Sequence, residues 1–171
     1  MSMQTDILCG HLHQSGFIVL QNRARVKAVS IKGSASAGQF DLFSTTTAPV
    51  SATYAQLGAT VTVTKVAHGL STGDTVGIAF KLGTGGAAFS GSYPITKLTN
   101  DTFTITSPNA ATITAGAICT YVVGGTWLMT LELNADDTYQ NYFLMPGEGI
   151  LSNYTIYAYM DGISVATVFY G

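Results

Sequence analysis

ATVTVTKVAHGLSTGDTVGIAF, residues 59–80, sets two short β-type runs on either side of a polar turn. Val61 and Val63 alternate with threonine, and Val76, Ile78 and Phe80 resume the same two-residue beat after HGLSTGD. Successive strand side chains point to opposite faces, so this alternation marks half-buried strands, and the Gly and Asp between them suit a turn.

The same text continues outward. YPITKL, TND, TFTIT and ICTYVV follow, giving about five short strands across 57–123 by their β-branched runs and turn punctuation. The stretch STTTAPVSATYAQ (44–56) is small, polar and proline-containing, and reads as a linker. After Gly124-Gly125 a different text resumes: WLMTLEL, YQNYFLM, a PGEG loop, YTIYAYM, a DG turn and VATVFYG. ARVKAVSIK (24–32) alternates as a half-buried strand, and QFDLF and WLMTLEL form a natural hairpin once 44–123 is cut out. Thr occurs 24 times and Gly 19 times, and no segment has a helical period.

The expected fold is therefore all-β: an outer antiparallel, jelly-roll-like β-sandwich of 23–56 and 124–171, with an inserted small antiparallel β-barrel or sandwich module at 57–123. Residues 1–22 read as an amino-terminal arm that docks late or on a neighbour.

Composition narrows the function classes. Of 171 residues, 47% are hydrophobic and only 9% charged, against about a quarter charged in an ordinary soluble domain. That balance excludes intrinsic disorder, and no apolar run approaches the roughly twenty residues of a membrane-spanning helix. An exterior so poor in charge is made of Thr, Ser, Gly and Ala or is covered by other subunits. The sequence pI of 5.8 argues against a nucleic-acid surface. Residues 1–32 carry Arg23, Arg25, Lys27 and Lys32 against Asp6, whereas 133–171 carry Asp136, Asp137, Glu148 and Asp161 with no Lys or Arg. Opposite-signed ends favour pairing within a chain or head-to-tail between subunits, which makes a homo-oligomer the expectation. Cys9 and Cys119 lie far apart without framework spacing, and MSMQTD lacks a secretory pattern, so both read as free thiols in a reducing compartment.

Several constellations invite chemistry. Cys9, His11 and His13 share one face of a strand, and zinc accepts such ligands with a fourth from elsewhere or from a symmetry mate. The plainer account is a polar arm, and neither a metal nor any cofactor is assigned. His68 and Asp74 with nearby serines suggest a triad, but His68-Gly69 and Gly73-Asp74 also bracket a turn. Asp136-Asp137 sits in a hairpin turn, where adjacent positions diverge. KLGTGGAAFSG (81–91) lacks the Lys-Ser/Thr and helix of a phosphate loop. Glu148 in the PGEG loop suits a subunit contact with Arg23, Arg25 or Lys27, or a solvated turn. Six of nine tyrosines fall in the last 33 residues, with Tyr157 and Tyr159 on one strand face. Together with Phe169 and Tyr170 these are candidate interface residues, since aromatic residues are enriched in interface cores.

Two resemblances add to this reading. His68-Gly69-Leu70, Gly73-Asp74-Thr75-Val76, Gly91-Ser92-Tyr93, Ile95-Thr96 and Thr102-Phe103-Thr104 resemble the small β-module of phage tail and particle proteins. That module is labelled as similar to the first catalytic-cysteine half-domain of ubiquitin-activating enzyme; the resemblance implies a spacer or adhesion module, and Cys119 lies outside the pattern. ARVKAVSIKGSASAGQFDLF, LMPGEGIL and VATVFYG resemble small structural proteins of short-tailed cyanophages. The resemblances imply a non-enzymatic virion protein assembled in the host cytoplasm, most simply a head decoration or cement protein contacting the major capsid protein. The alternatives are a ring or adaptor-associated tail component, contacting tail proteins, and a receptor-binding module gripping a host surface glycan through 81–92. No nucleic acid or membrane partner is expected.

Overall fold

A computed structural model describes residues 8–18, 23–34, 36–82, 86–135 and 139–171 of the chain. It is all-β, with several antiparallel sheets, one curled into a half-barrel, and no helix among the described residues. None of those residues therefore forms a helix long and apolar enough to cross a membrane.

In chain order the strands are β1 (Leu8–Leu12), β2 (Gly16–Ile18), β3 (Ala24–Gly33), β4 (Gly38–Ser44), β5 (Val50–Thr64), β6 (Thr75–Phe80) and β7 (Gly91–Pro94). There follow β8 (Thr96–Lys97), β9 (Thr102–Val123), β10 (Thr126–Leu133), β11 (Gln140–Leu144), β12 (Ile150–Ser152), β13 (Ile156–Asp161) and β14 (Ile163–Tyr170). The chain divides into two compact units, one of Met1–Thr46 with Thr130–Gly171 and the other of Thr47–Met129.

The first unit holds two sheets. One runs β1-β14-β3-β11, with β12 also pairing β3; the other runs β10-β4-β13-β2. Its core is fully buried: Val29, Ile31, Ala166 and Val168 from the first sheet, and Phe40, Leu42, Ile156 and Ala158 from the second. Each bulky member contributes about 1.5–3 kcal/mol by leaving water. A serine pair ties β4 to β12. Ser152 Oγ lies 2.8 Å from Ser44 Oγ and donates to the Tyr154 carbonyl at 2.6 Å, while Ser44 Oγ accepts from the Tyr154 amide at 3.1 Å.

Three local expectations change here. The described part of the amino-terminal arm, residues 8–18, is built into its own chain: β1 pairs β14 in one sheet and β2 pairs β13 in the other. Ser15 at the turn between them helps fix the switch, its Oγ accepting from the Met160 amide at 2.8 Å. Second, β3 is not half-buried. Ala28, Val29, Ser30 and Ile31 are all buried: Val29 and Ile31 face the core, and Phe169, Tyr142 and Gln140 of the flanking strands lie across Ala28 and Ser30. Third, residues 50–56 are strand rather than linker. Ala52, Tyr54 and Gln56 point inward and Ser51 and Thr53 outward, a period of two that small and polar residues disguise.

In the second unit the sheet order is β5-β9-β6-β7, with β8 also on β9. TFTIT and ICTYVV, expected as separate strands, belong to one strand of 22 residues, β9. β9 pairs β5 from Thr102 to Tyr121 across two register shifts. At one of these shifts Thr106 pairs with Thr60 and Ala111 with Gly58, so Pro108 falls in the interrupted stretch, where no ladder amide is demanded of it. Tyr54, Val61, Val63, Ile78, Phe80, Phe103 and Tyr121 fill the concave side.

Candidate functional site

Strand register decides which side chains share a surface. In the first sheet, Val168 pairs with Val29 and Ala166 with Ile31, and these face the core. The alternate positions face away. Cys9 lies opposite Phe169, Phe169 opposite Ala28 and Ala28 opposite Leu144; His11, Thr167, Ser30 and Tyr142 form the next row. This outer face is largely uncharged. Tyr142 is 57% and Leu144 74% exposed, and the Tyr142 and Phe169 rings meet edge to face at 5.7 Å. Gln140 Nε2 donates to Ser30 Oγ at 2.6 Å, covering that hydroxyl. Among the described residues β11 has no partner on its far side.

Of the interface candidates, Phe169 alone joins this face. Tyr170 points into the core and is buried. Arg23 is exposed with a positive φ of 57° at the entry to β3. Arg25, Lys27 and Glu148 do come together, and they do so within one chain. Arg25 Nη2 lies 3.3 Å from Glu148 Oε2, and Lys27 Nζ donates to the Glu148 carbonyl at 2.7 Å. The PGEG loop is thereby clasped to β3, closed by the Gly149 amide donating to the Pro146 carbonyl at 3.2 Å.

Tyr157 and Tyr159 share the face of the second sheet turned away from Phe40 and Leu42, opposite Phe43 and Asp41 respectively. Phe17 of β2 packs edge to face on Tyr157 at 4.8 Å. Asp41 is fully buried. Gln39 Nε2 donates to both its carboxylate oxygens at 3.0 Å, and the Thr130 hydroxyl donates to Oδ1 at 2.6 Å. Burial raises the Asp41 carboxyl to about 6 against those hydrogen bonds, with Glu132 and Asp161 adding in the same direction. Burial, then Asp161 and Asp41, push the Tyr159 phenol up as well. Sequence reading missed Asp41, because an Asp inside QFDLF looks like the polar face of an ordinary alternating strand.

Cys9 and His11 lie on one face of β1, and the His11 and His13 rings meet edge to face at 4.8 Å. Within one chain, no three His, Cys, Asp or Glu side chains among the described residues are placed to hold a metal ion. Both cysteines are free; Cys9 is exposed and Cys119 buried, and burial pushes the Cys119 thiol far above its usual range.

In the second unit, HGLSTGD is a hydrogen-bonded turn. His68 Nδ1 accepts from the Leu70 amide at 3.0 Å, its Nε2 meets the Thr99 carbonyl at 3.1 Å, and Asp74 Oδ2 accepts from the Ser71 amide at 2.8 Å. Both imidazole nitrogens are thus committed to backbone, and the triad geometry is not formed. Asp136 and Asp137 lie outside the described residues, as do 83–85 of the glycine-rich stretch. The flanks of that stretch display exposed Leu82 and Phe89. Tyr93 braces the second flank by donating to the Phe89 carbonyl at 2.7 Å. A shallow groove of about 550 Å³ lies over β5 and β9, lined by Leu57, Thr60, Thr62 and Thr112 among others.

No family model matches the chain, and no curated protein matches it. Among solved structures it is similar to phage phi92 endosialidase, at 22% identity over 81% of this chain and with a TM-score of 0.29. The chain spans 20% of the length of that phage protein. The neighbour is by name an enzyme, and this corrects the expectation of a non-enzymatic chain, which is not carried forward. A likeness at this TM-score transfers no residue role.

Proposed function

We propose that this chain is a phage virion component, and that it serves as a head decoration or cement protein on the major capsid protein. The observation that carries this reading is the outer face of the β1-β14-β3-β11 sheet, where Tyr142 and Leu144 are exposed on β11, whose far side no described strand pairs, and where the Tyr142 ring meets Phe169 of β14. Exposed aromatic and aliphatic side chains beside a free edge are what an assembling subunit buries. A chain with 9% charged residues has little else to offer solvent there. The resemblance of the PGEG and VATVFYG segments to small phage structural proteins fits this placement. The test is incorporation of a Tyr142→Ser/Leu144→Ser variant into particles. A folded variant that no longer joins the virion supports the contact surface; undiminished incorporation removes it.

A second reading, a receptor-binding component displayed on the particle, is favoured by exposed Leu82 and Phe89 beside the glycine-rich stretch. A host surface glycan is its expected ligand. Under this reading, substituting Leu82 and Phe89 with Ser leaves incorporation intact and abolishes attachment to host cells.

A further inference from the structure

We propose that two copies of this chain pair edge to edge through β1, and that Cys9 and His11 of both copies together bind one zinc ion. β1 terminates its sheet: β14 lies on one side, and no described strand pairs with the other. Such an edge presents free backbone donors and acceptors to any extended partner. The strand Leu8–Leu12 has five residues, and an antiparallel pairing with itself uses all five only when centred on Gly10. In that register Cys9 of one copy lies directly opposite His11 of the other, twice over, and Leu8 lies opposite Leu12 on the other face.

The donor chemistry follows from the register. Cys9 and His11 point to the same face, away from the core, because they pair with Phe169 and Thr167 while Gly10 pairs with Val168. Directly opposed strand residues have Cβ atoms about 4.5–5.5 Å apart. A thiolate and an imidazole at that spacing both reach a metal at the roughly 2.0–2.3 Å bond lengths of zinc. Two such pairs across a twofold axis supply two sulfurs and two nitrogens; the two Cys9 residues are diagonal neighbours about 7–8 Å apart, so both side chains lean towards the axis to share the ion in a tetrahedral set. One chain alone supplies half of it, in keeping with the absence of a complete metal-binding group among its own described residues.

Two further observations fit the assignment. His11 Nδ1 is 2.8 Å from Thr167 Oγ1, which fixes the ring and leaves Nε2 for a metal. Hydrogen bonding of the second ring nitrogen in this way is the usual support of a metal-bound histidine. Cys9 is free and exposed, and Leu8, 57% exposed at the edge, gains a cover in the pair.

The experiment measures mass by light scattering and metal content by mass spectrometry on the full chain, with a phosphine reductant present. Zinc sulfate and EDTA are compared. The expected result is a zinc-dependent dimer carrying one zinc per two chains, monomeric in EDTA. Cys9→Ser and His11→Ala each lose both the zinc and the dimer, with circular dichroism unchanged. Thr167→Val keeps the dimer and weakens zinc binding about tenfold or more. Cobalt(II) in place of zinc gives a thiolate charge-transfer band that Cys9→Ser abolishes. A zinc-bound monomer, a dimer that persists in EDTA, a chain that retains no zinc, or a zinc dimer indifferent to both ligand variants overturns the proposal.

Discussion

Asp41 faces Tyr159 across the β4–β13 pair, a fully buried carboxylate beside a phenol, with Asp161 two residues beyond that tyrosine and, among the described residues, no basic group setting the Asp41 ionisation. The sheet accepts this arrangement through the Gln39 and Thr130 hydrogen bonds. The arrangement has a pH signature.

The Asp41 carboxyl is raised from 3.8 to about 6 by burial. The folded state therefore holds the proton more tightly than the unfolded one. The corresponding stability is fully present below about pH 3.8 and is lost as pH rises through about 6, on the order of 3 kcal/mol at one pKa unit per 1.36 kcal/mol. Asp41→Asn removes this slope, so the stability difference between variant and parent moves in the variant's favour from pH 4 to pH 7.5. Urea denaturation at both values measures it; equal slopes for the two proteins contradict the assignment.

The PGEG loop depends on backbone geometry more than on charge. Gly149 has a φ of +87°, and a Cβ there would run into the Val26 carbonyl oxygen. Gly149→Ala is expected to cost about 2–3 kcal/mol. Glu148→Ala removes a pair whose acid is 81% exposed and is expected to cost less than about 0.5 kcal/mol. Thermal unfolding of the two variants gives the order directly.

His68 holds its turn through both ring nitrogens and lies edge-on to Phe103 at 5.3 Å. His68→Ala is expected to destabilise the chain by about 1–2 kcal/mol. Asp74→Ala, which loses the Ser71 amide contact, is expected to cost about 1 kcal/mol. Both losses are of stability, read by denaturant titration. If His68→Ala leaves stability unchanged, the turn role assigned to it is wrong.

The all-β class was legible because the signals that carry it are local. Val61/Val63 and Val76/Ile78 alternate in the chain as they do in space. What alternation cannot reveal is which faces become covered. Ala28 and Ser30 sit on the outer face of the first sheet yet are buried, because Phe169, Tyr142 and Gln140 of neighbouring strands lie across them. Asp41 and Phe43 are likewise buried on the face of β4 turned away from Phe40 and Leu42. Long strands were divided for a related reason. Pro108 and the Ala-Gly text of 110–117 look like a break, whereas β9 passes through them by skipping register against β5. Glu148 reads from the sequence as a subunit contact for Arg23, Arg25 or Lys27 or as a solvated turn; its clasp by Arg25 and Lys27 closes within one chain and depends on the β3–β12 pairing, which no local pattern encodes.

Placement on the virion is the central claim. Quantitative peptide mass spectrometry of purified particles, against the major capsid protein, tests it most directly. A copy number close to that of the capsid protein is the predicted result. A ratio many-fold lower, as at a unique vertex or in the tail, contradicts the decoration role, and absence from purified particles contradicts the virion assignment itself.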